Sequence, residues 1–269
     1  MRVADALARA RAAGVARLDA QLLLAHHARC SRAWLIAHDD APLDSAVAAA
    51  FVEDLGRRAA GLPLAYLVGE REFHGLALQV TPAVLVPRPE TETLVDWALE
   101  LVRPGQKVLD LGTGSGAIAL AVKQAQPAAQ VSATDRSTQA LAVAAANGRR
   151  LGLAVEWIAG DWWQPLAGRR FDVVLSNPPY IAGDDPHLAA LAHEPRAALT
   201  PEGDGLDALR AIVAGAPAHL DPGGWMLLEH GHDQADRVQQ LLTDCGFEAT
   251  ETRADLAGIA RCTGARRPA

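Results

Sequence analysis

Apolar positions keep helical spacing from the first residues to about residue 60. Val3, Leu7 and Ala10 form one stripe, and Leu18, Leu22 and Ala25 a second, widened by Leu23 and Leu24. A short third piece carries Trp34, Leu35 and Ile36, and a fourth runs through Val47, Phe51 and Leu55. Gly14 closes the first helix, Asp44 is a good N-cap for the fourth, and Gly61-Leu62-Pro63 stops it. Around Gly75 the pattern changes. Phe73-His74-Gly75-Leu76 and Leu78-Gln79-Val80 alternate, which predicts a β-hairpin.

Beyond the hairpin, short apolar runs alternate with helical stretches. Strands are expected at 107–111, 131–133, 155–159, 171–176 and 225–229. Between them lie a helix with a Leu94, Trp97, Ala98 and Leu101 stripe, then helices over 117–124 and 137–151. Further helices run from Asp207 to Leu220 and over 235–242. Two weak strands at 247–250 and 259–262 complete the sheet, and 264–269 reads as a frayed basic tail. Strands separated by helices imply an α/β fold, a doubly wound parallel sheet covered on both faces. The expected domains are a helical N-terminal one over 1–66, a hairpin linker over 67–86 and the α/β domain over 87–269.

Composition narrows the class. Half of the 269 residues are hydrophobic, ample for a sizeable core, and the formal net charge is −7. That balance argues against broad or sequence-specific nucleic-acid binding, which wants a basic footprint. Cys30, Cys245 and Cys262 are isolated and at no metal-ligand spacing, as in a reducing compartment. With no apolar leader segment and no run of about 18 uncharged apolar residues, a cytoplasmic protein without a membrane span is expected.

The candidate chemistry sits at strand ends. After the fourth strand comes Asn177-Pro178-Pro179-Tyr180. Two prolines cannot donate to a ladder, so the chain leaves the sheet stiff and extended, with free carbonyls beside the Asn177 amide oxygen. Two such acceptors can grip one NH2 group; alone, the tetrapeptide is equally a Pro-rich loop. After the first strand comes Gly112-Thr113-Gly114-Ser115-Gly116 and then a helix. Glycines let a ligand approach the backbone, and the helix N-terminus offers unpaired N–H groups.

A dinucleotide loop reads G-x-G-x-x-G, whereas here it is G-x-G-x-G with Asp110 at the strand end. A carboxylate there repels pyrophosphate and attracts an ammonium or sulfonium, which favours S-adenosylmethionine over NAD. Asp135, ending the second strand, suits the ribose hydroxyls. Asp161 and Trp162, after the third, suit an adenine. His230-Gly231-His232 lacks a third ligand at metal spacing, so no metal is expected.

With these residues, the chain resembles the class I S-adenosylmethionine-dependent methyltransferases, and among them the release factor glutamine N5-methyltransferases. The resemblance rests on Leu85-Val86-Pro87-Arg88-Pro89-Glu90-Thr91-Glu92, Asp110-Leu111 with the glycine loop, and Gly160-Asp161-Trp162. It rests equally on Ser176 with the tetrapeptide, Glu194-Pro195-Arg196 and Gly205-Leu206-Asp207. It implies a class I, Rossmann-like methyltransferase fold whose N-terminal domain docks the substrate. It also implies transfer of a methyl group from S-adenosylmethionine to the glutamine of the Gly-Gly-Gln motif of peptide chain release factors.

Gly112, Thr113, Gly114, Ser115, Gly116, Asp135, Trp162 and Asn177 are then the cofactor-binding candidates. Asn177, Pro178, Pro179 and Tyr180 hold the substrate amide, with Asn177, Pro178 and Tyr180 counted as catalytic. S-adenosylhomocysteine is the product. Rival readings are a ribosomal-protein glutamine methyltransferase, a nucleic-acid amine methyltransferase and an NAD-binding module. Asn-Pro-Pro-Tyr is shared by many enzymes that methylate planar nitrogens.

Overall fold

The computed structural model describes residues 1–269, which divide into two compact units, Met1–Glu70 and Arg71–Ala269. The first holds α1 (Val3–Ala12), α2 (Arg17–Ala28), α3 (Arg32–Ala37), α4 (Ser45–Ala59) and α5 (Leu64–Val68). Asp44 caps α4, its Oδ1 accepting from Ala46 N at 2.7 Å. Val3, Leu23, Leu24, Leu35 and Phe51 close the core of this unit. The expected boundary after residue 66 falls inside α5, a helix too short to show a period.

The division falls at the start of a hairpin, β1 (Glu70–Phe73) and β2 (Leu76–Gln79), which from Arg71 on belongs to the second unit. This hairpin is no free linker. Phe73, Leu76 and Leu78 are buried in the same cluster as Trp97 and the sheet residues Val108 and Val173. A 3-10 turn (Pro89–Thr91) leads into α6 (Glu92–Leu101). Then follow β3 (Lys107–Leu111), α7 (Ala117–Ala125), β4 (Gln130–Asp135), α8 (Thr138–Leu151), β5 (Glu156–Ala159) and β6 (Phe171–Ser176). The chain continues through α9 (Arg196–Leu199), α10 (Asp207–His219), β7 (Leu220–Glu229), α11 (Ala235–Asp244), β8 (Glu248–Ala254) and β9 (Ala260–Arg266). No helix is long and apolar enough to cross a membrane.

One seven-stranded sheet results, in the order β5-β4-β3-β6-β7-β9-β8. The first five strands are parallel, and β9 runs antiparallel to both β7 and β8. Both faces are covered, which is why the strands read as continuous apolar runs rather than alternations. Val108, Val173, Leu175 and Leu227 face α6 and α7, while Leu109, Val174, Met226 and Leu228 face α10 and α11.

Two expectations need correction. The stretch 264–266 is not a frayed tail: β9 continues to Arg266, paired with Trp225, and Gly264 is buried under Leu227 and Trp97. Its glycine and two arginines hid a strand whose partners are distant in sequence. β7 likewise begins at Leu220, with a register irregularity opposite Asp172 that absorbs Pro222-Gly223-Gly224.

Candidate active site

Chain order reverses beside β3: it moves outward through β4 and β5, then returns to β6 on the other side. In open sheets of this kind the crevice at such a reversal, outside the strands' carboxyl ends, is the ligand site. A cavity of ≈ 480 Å³ lies there, within the range of small-molecule sites. Leu111 pairs with Ser176, whose hydroxyl donates to Leu111 O at 2.7 Å, so Gly112 and Asn177 leave adjacent strands side by side.

The glycine loop is tied from two directions. Asp135 accepts from Gly114 N through Oδ2 (2.9 Å) and from Ser137 N through Oδ1 (2.8 Å). Each oxygen keeps a lone pair, and the residue lines the cavity. Burial raises its pKa. Gly112, Thr113, Gly114 and Ser115 line the cavity as well, but Gly116 does not. Gly116 instead lies under Trp157, Ala144 and Leu120, where an added Cβ would come within 3.0–3.1 Å of each. It lets the helix approach the sheet.

Asp110 is fully buried behind the loop. Its Oδ2 accepts from the Thr113 hydroxyl at 2.6 Å, while Oδ1 has no partner. Burial pushes its pKa up to about 7, opposed by Thr113. Asp110 stands behind the cavity wall and does not line it; Asp135 and Asp161 do, and their carboxyl groups fit a cationic methyl donor that carries ribose hydroxyls.

Trp162 and Trp163 do different work. Trp163 is an anchor: its Nε1 donates to Ile212 O at 3.0 Å, and its ring stacks on His219. Trp162 holds a positive φ of 44°, unusual for a bulky residue, and lines the cavity with its indole against Gly112. Strain of this kind tends to be kept at working sites. Asp161 shares the same wall.

Of the tetrapeptide, Asn177 and Pro179 line the cavity; Pro178 and Tyr180 do not. Asn177 Nδ2 donates to Thr91 Oγ1 at 3.1 Å, leaving its carbonyl oxygen unclaimed. The Tyr180 ring packs on the α10–α11 side, and its hydroxyl donates to Glu229 Oε1 at 3.1 Å. Gln234 Nε2 donates to Tyr180 O at 2.9 Å, and Gly231 N donates to Gln234 Oε1 at 2.9 Å. The end of β7 and the turn after it thus grip Tyr180 at both ends. His230, in that turn, is buried, with its ring nitrogens against Thr263 Oγ1 and Gly231 O.

Two further residues make contacts not assigned from sequence: Glu194, named above only within its motif, and Asn147, not named at all. Glu194 is buried and accepts from Val86 N at 3.0 Å, and it pairs with Arg88. The Pro-Arg-Pro and Glu-Pro-Arg motifs therefore meet, and residues from both sides line the cavity mouth. Asn147 is fully buried on α8; its Nδ2 donates to Ser115 O and Gln79 O, each at 3.0 Å, and its Oδ1 accepts from Gln79 N at 2.7 Å. It fastens β2 to the glycine loop. A lone Asn inside an Ala-rich helix was the visible signal.

Sheet order, glycine loop and acceptor-bearing strand end together define a class I methyltransferase. Residues 91–206 match the methyltransferase small domain family and residues 2–69 the PrmC N-terminal domain family. The chain is 51% identical over 256 residues to a release factor glutamine methyltransferase of Bordetella pertussis, covering 93% of this chain and 95% of that one. A protein of the same description from Burkholderia pseudomallei is 51% identical over 269 residues, with coverage of 96% and 94%. Among solved structures, a methyltransferase from Pyrococcus furiosus shares the fold, at a TM-score of 0.58 and 19% identity over 72% of this chain and 90% of that one. The chain belongs to the release factor glutamine methyltransferases.

Proposed function

We propose that this protein transfers a methyl group from S-adenosylmethionine to the side-chain nitrogen of the Gly-Gly-Gln glutamine of a peptide chain release factor, in the cytoplasm. The observation that carries the chemistry is the orientation of Asn177: its NH2 is spent on Thr91, so its oxygen is left as an acceptor at the cavity wall.

A carboxamide nitrogen is a weak nucleophile because its lone pair is delocalised into the carbonyl. It gains positive charge as the new N–CH3 bond forms and the S–CH3 bond breaks, with its electron pair left on sulfur. One N–H proton then passes to water, leaving the neutral N-methyl amide and S-adenosylhomocysteine. Asn177 Oδ1, at the cavity wall, accepts one N–H bond of the substrate amide; the carbonyl of Pro178, a residue buried off that wall, takes the other as the amide seats, and together they hold its nitrogen in line with the methyl group. Because the N–H groups become more acidic in the transition state, these two bonds strengthen there. Orientation supplies the rest. The cofactor, when bound, supplies an electrophilic methyl. Thr113, Gly114 and Ser115 would shape the loop against it, Asp135 would take its ribose hydroxyls, Trp162 would cover its base, and Asp110, buried behind the loop, would add negative potential near its charge.

Mass spectrometry of purified release factor after incubation with the protein and S-adenosylmethionine tests the reading. One added methyl on the motif glutamine is expected. A methyl on a ribosomal protein or a nucleic-acid base, with none on release factor, overturns it.

Asp135→Ala tests the cofactor side. Hydrogen bonds to a charged group contribute about 1.5–3 kcal/mol each, so cofactor Kd should rise on the order of 10- to 100-fold. Calorimetric titration reads this directly, and an unchanged Kd removes Asp135 from the cofactor site.

A further inference from the structure

The glycine loop has little stiffness of its own. Gly112, Gly114 and Gly116 take φ values of +75°, +56° and +84°, and a glycine leaves such values for others at little cost. Hydrogen bonds hold it instead. Gly112 N and Thr113 N both donate to Thr134 O, Gly114 N to Asp135 Oδ2 and Gly116 N to Thr113 O, each at 2.9 Å. Ser115 lines the cavity, and its N–H alone of the five has no partner in the protein.

A peptide plane carries the carbonyl of one residue and the N–H of the next. The 113–114 plane is pinned at both ends, its oxygen by Gly116 N and its N–H by Asp135. The 115–116 plane is pinned at both ends too, its N–H by Thr113 O and its oxygen by Asn147 Nδ2 at 3.0 Å. Between them lies the plane that carries the Ser115 N–H, and these two neighbours set its direction. Asn147 closes that frame from α8.

The Asn147 carboxamide has no group left over. Its second N–H goes to Gln79 O at 3.0 Å, and its oxygen takes Gln79 N at 2.7 Å and, at the longer distance of 3.5 Å, Arg150 Nη2. The residue is 0% exposed. Gln79 ends β2, and Pro82, Ala83, Val84 and Leu85, a few residues on, line the cavity. One side chain thus spans the glycine loop and the strand that leads into another stretch of cavity wall.

We infer that Asn147 is a positioning residue for the methyl donor: it holds the Ser115 peptide in the orientation that binds the donor, and it couples that loop to the end of β2. It lines no part of the cavity itself. This rests on S-adenosylmethionine as the cofactor, proposed above, and not on the identity of the methyl acceptor.

The test compares Asn147→Ala and Arg150→Ala with the wild type by calorimetric titration of S-adenosylmethionine and S-adenosylhomocysteine, well below each Tm. Asn147→Ala frees the 115–116 plane at one end, and residues in direct contact couple by roughly 2- to 100-fold, so Kd for both ligands should rise about tenfold. At saturating S-adenosylmethionine kcat should stay within about threefold, because the bound donor again fixes the loop and only uniform binding is lost. Arg150→Ala cuts the neighbouring tie from α8 to β2, its Nη2 to Ala77 O, without reaching the loop. It should lower Tm and leave both Kd values within about twofold.

Hydrogen exchange reads the frame directly and needs no variant to fold. Coupling between two sites is reciprocal. In the wild type, S-adenosylhomocysteine should therefore slow exchange at the Gln79 amide, which lies off the cavity, by more than at the amides of β8 and β9.

Unchanged Kd values in folded Asn147→Ala overturn the proposal, as do a loss confined to kcat and an equal rise in Kd in Arg150→Ala. Exchange at Gln79 that S-adenosylhomocysteine slows no more than in β8 and β9 overturns it independently. If the wild type binds neither ligand, it is the cofactor assignment that fails, before any variant is compared.

Discussion

Asn177→Ala should lower kcat by about 10²- to 10³-fold, the range found when one preorganised partner of a developing charge is removed. The substrate nitrogen acquires charge as the methyl arrives, and the Asn177 oxygen answers that charge from a fixed place. The place is fixed because the side chain hangs from the end of a buried strand, with Pro178 and Pro179 stiffening the exit and Thr91 holding the NH2 at 3.1 Å. Alanine removes the acceptor and leaves water, which must reorganise during the reaction.

The effect should fall on kcat more than on KM, because ground-state binding of a protein substrate draws on many other contacts. Cofactor affinity should change little, since the loop and Asp135 stand independently of the Asn177 side chain. Folding should survive, because a half-exposed hydrogen bond is worth only about 1 kcal/mol. Single-turnover kinetics with enzyme in excess isolates the chemical step. Turnover within a fewfold of wild type removes Asn177 from the reaction.

The contrast between Asn177 and Tyr180 shows how far sequence reaches. The order of strand ends was legible, because buried parallel strands are continuous apolar runs and each is followed by a polar or glycine-rich turn. That placed the glycine loop, Asp135, Trp162 and Asn177 at one crevice, and all four are at its wall. The direction a ring turns after two prolines was not legible. Tyr180 was expected over the substrate amide, but its ring packs away from the cavity because Glu229 and Gln234, some fifty residues on, hold its two ends. Gly116 was counted with the cofactor loop, yet it serves helix packing, since Trp157 on β5 occupies the space beside it. In each case the deciding partner is remote in sequence and carries no local period. Asn147 was missed, and Glu194 was named only within its motif and without a partner, for the same reason: their bonds span 32–68 and 106–108 residues.

Gly205→Ala should damage stability and catalysis together. Gly205 sits at φ +79°, a conformation that costs an L-residue roughly 1–2 kcal/mol. The space is also taken. An added Cβ would lie 2.4 Å from the Tyr180 carbonyl oxygen, 3.0 Å from Ala182 N and 3.1 Å from Gln234 Nε2. The nearest two are backbone atoms, and they cannot swing aside as a side-chain tip can. Overpacking of this kind adds typically 1–3 kcal/mol, so the sum is about 2–5 kcal/mol and a Tm lower by on the order of 10 °C for a domain of this size.

Relief comes most directly from pushing the 180–182 segment away from residue 205, and that segment is the far end of the Asn-Pro-Pro-Tyr exit. A shift near 1 Å at a reacting centre can cost about 100-fold in rate, so kcat should fall even at temperatures where the variant is fully folded. Gly152→Ala is the control: its φ is +68°, but nothing lies within 4 Å of the added Cβ. It should show the backbone cost of roughly 1–2 kcal/mol alone, with turnover intact. Differential scanning calorimetry and turnover measured well below Tm separate the two effects. If Gly205→Ala loses only as much stability as Gly152→Ala and keeps its turnover, the loop opening α10 does not brace the tetrapeptide.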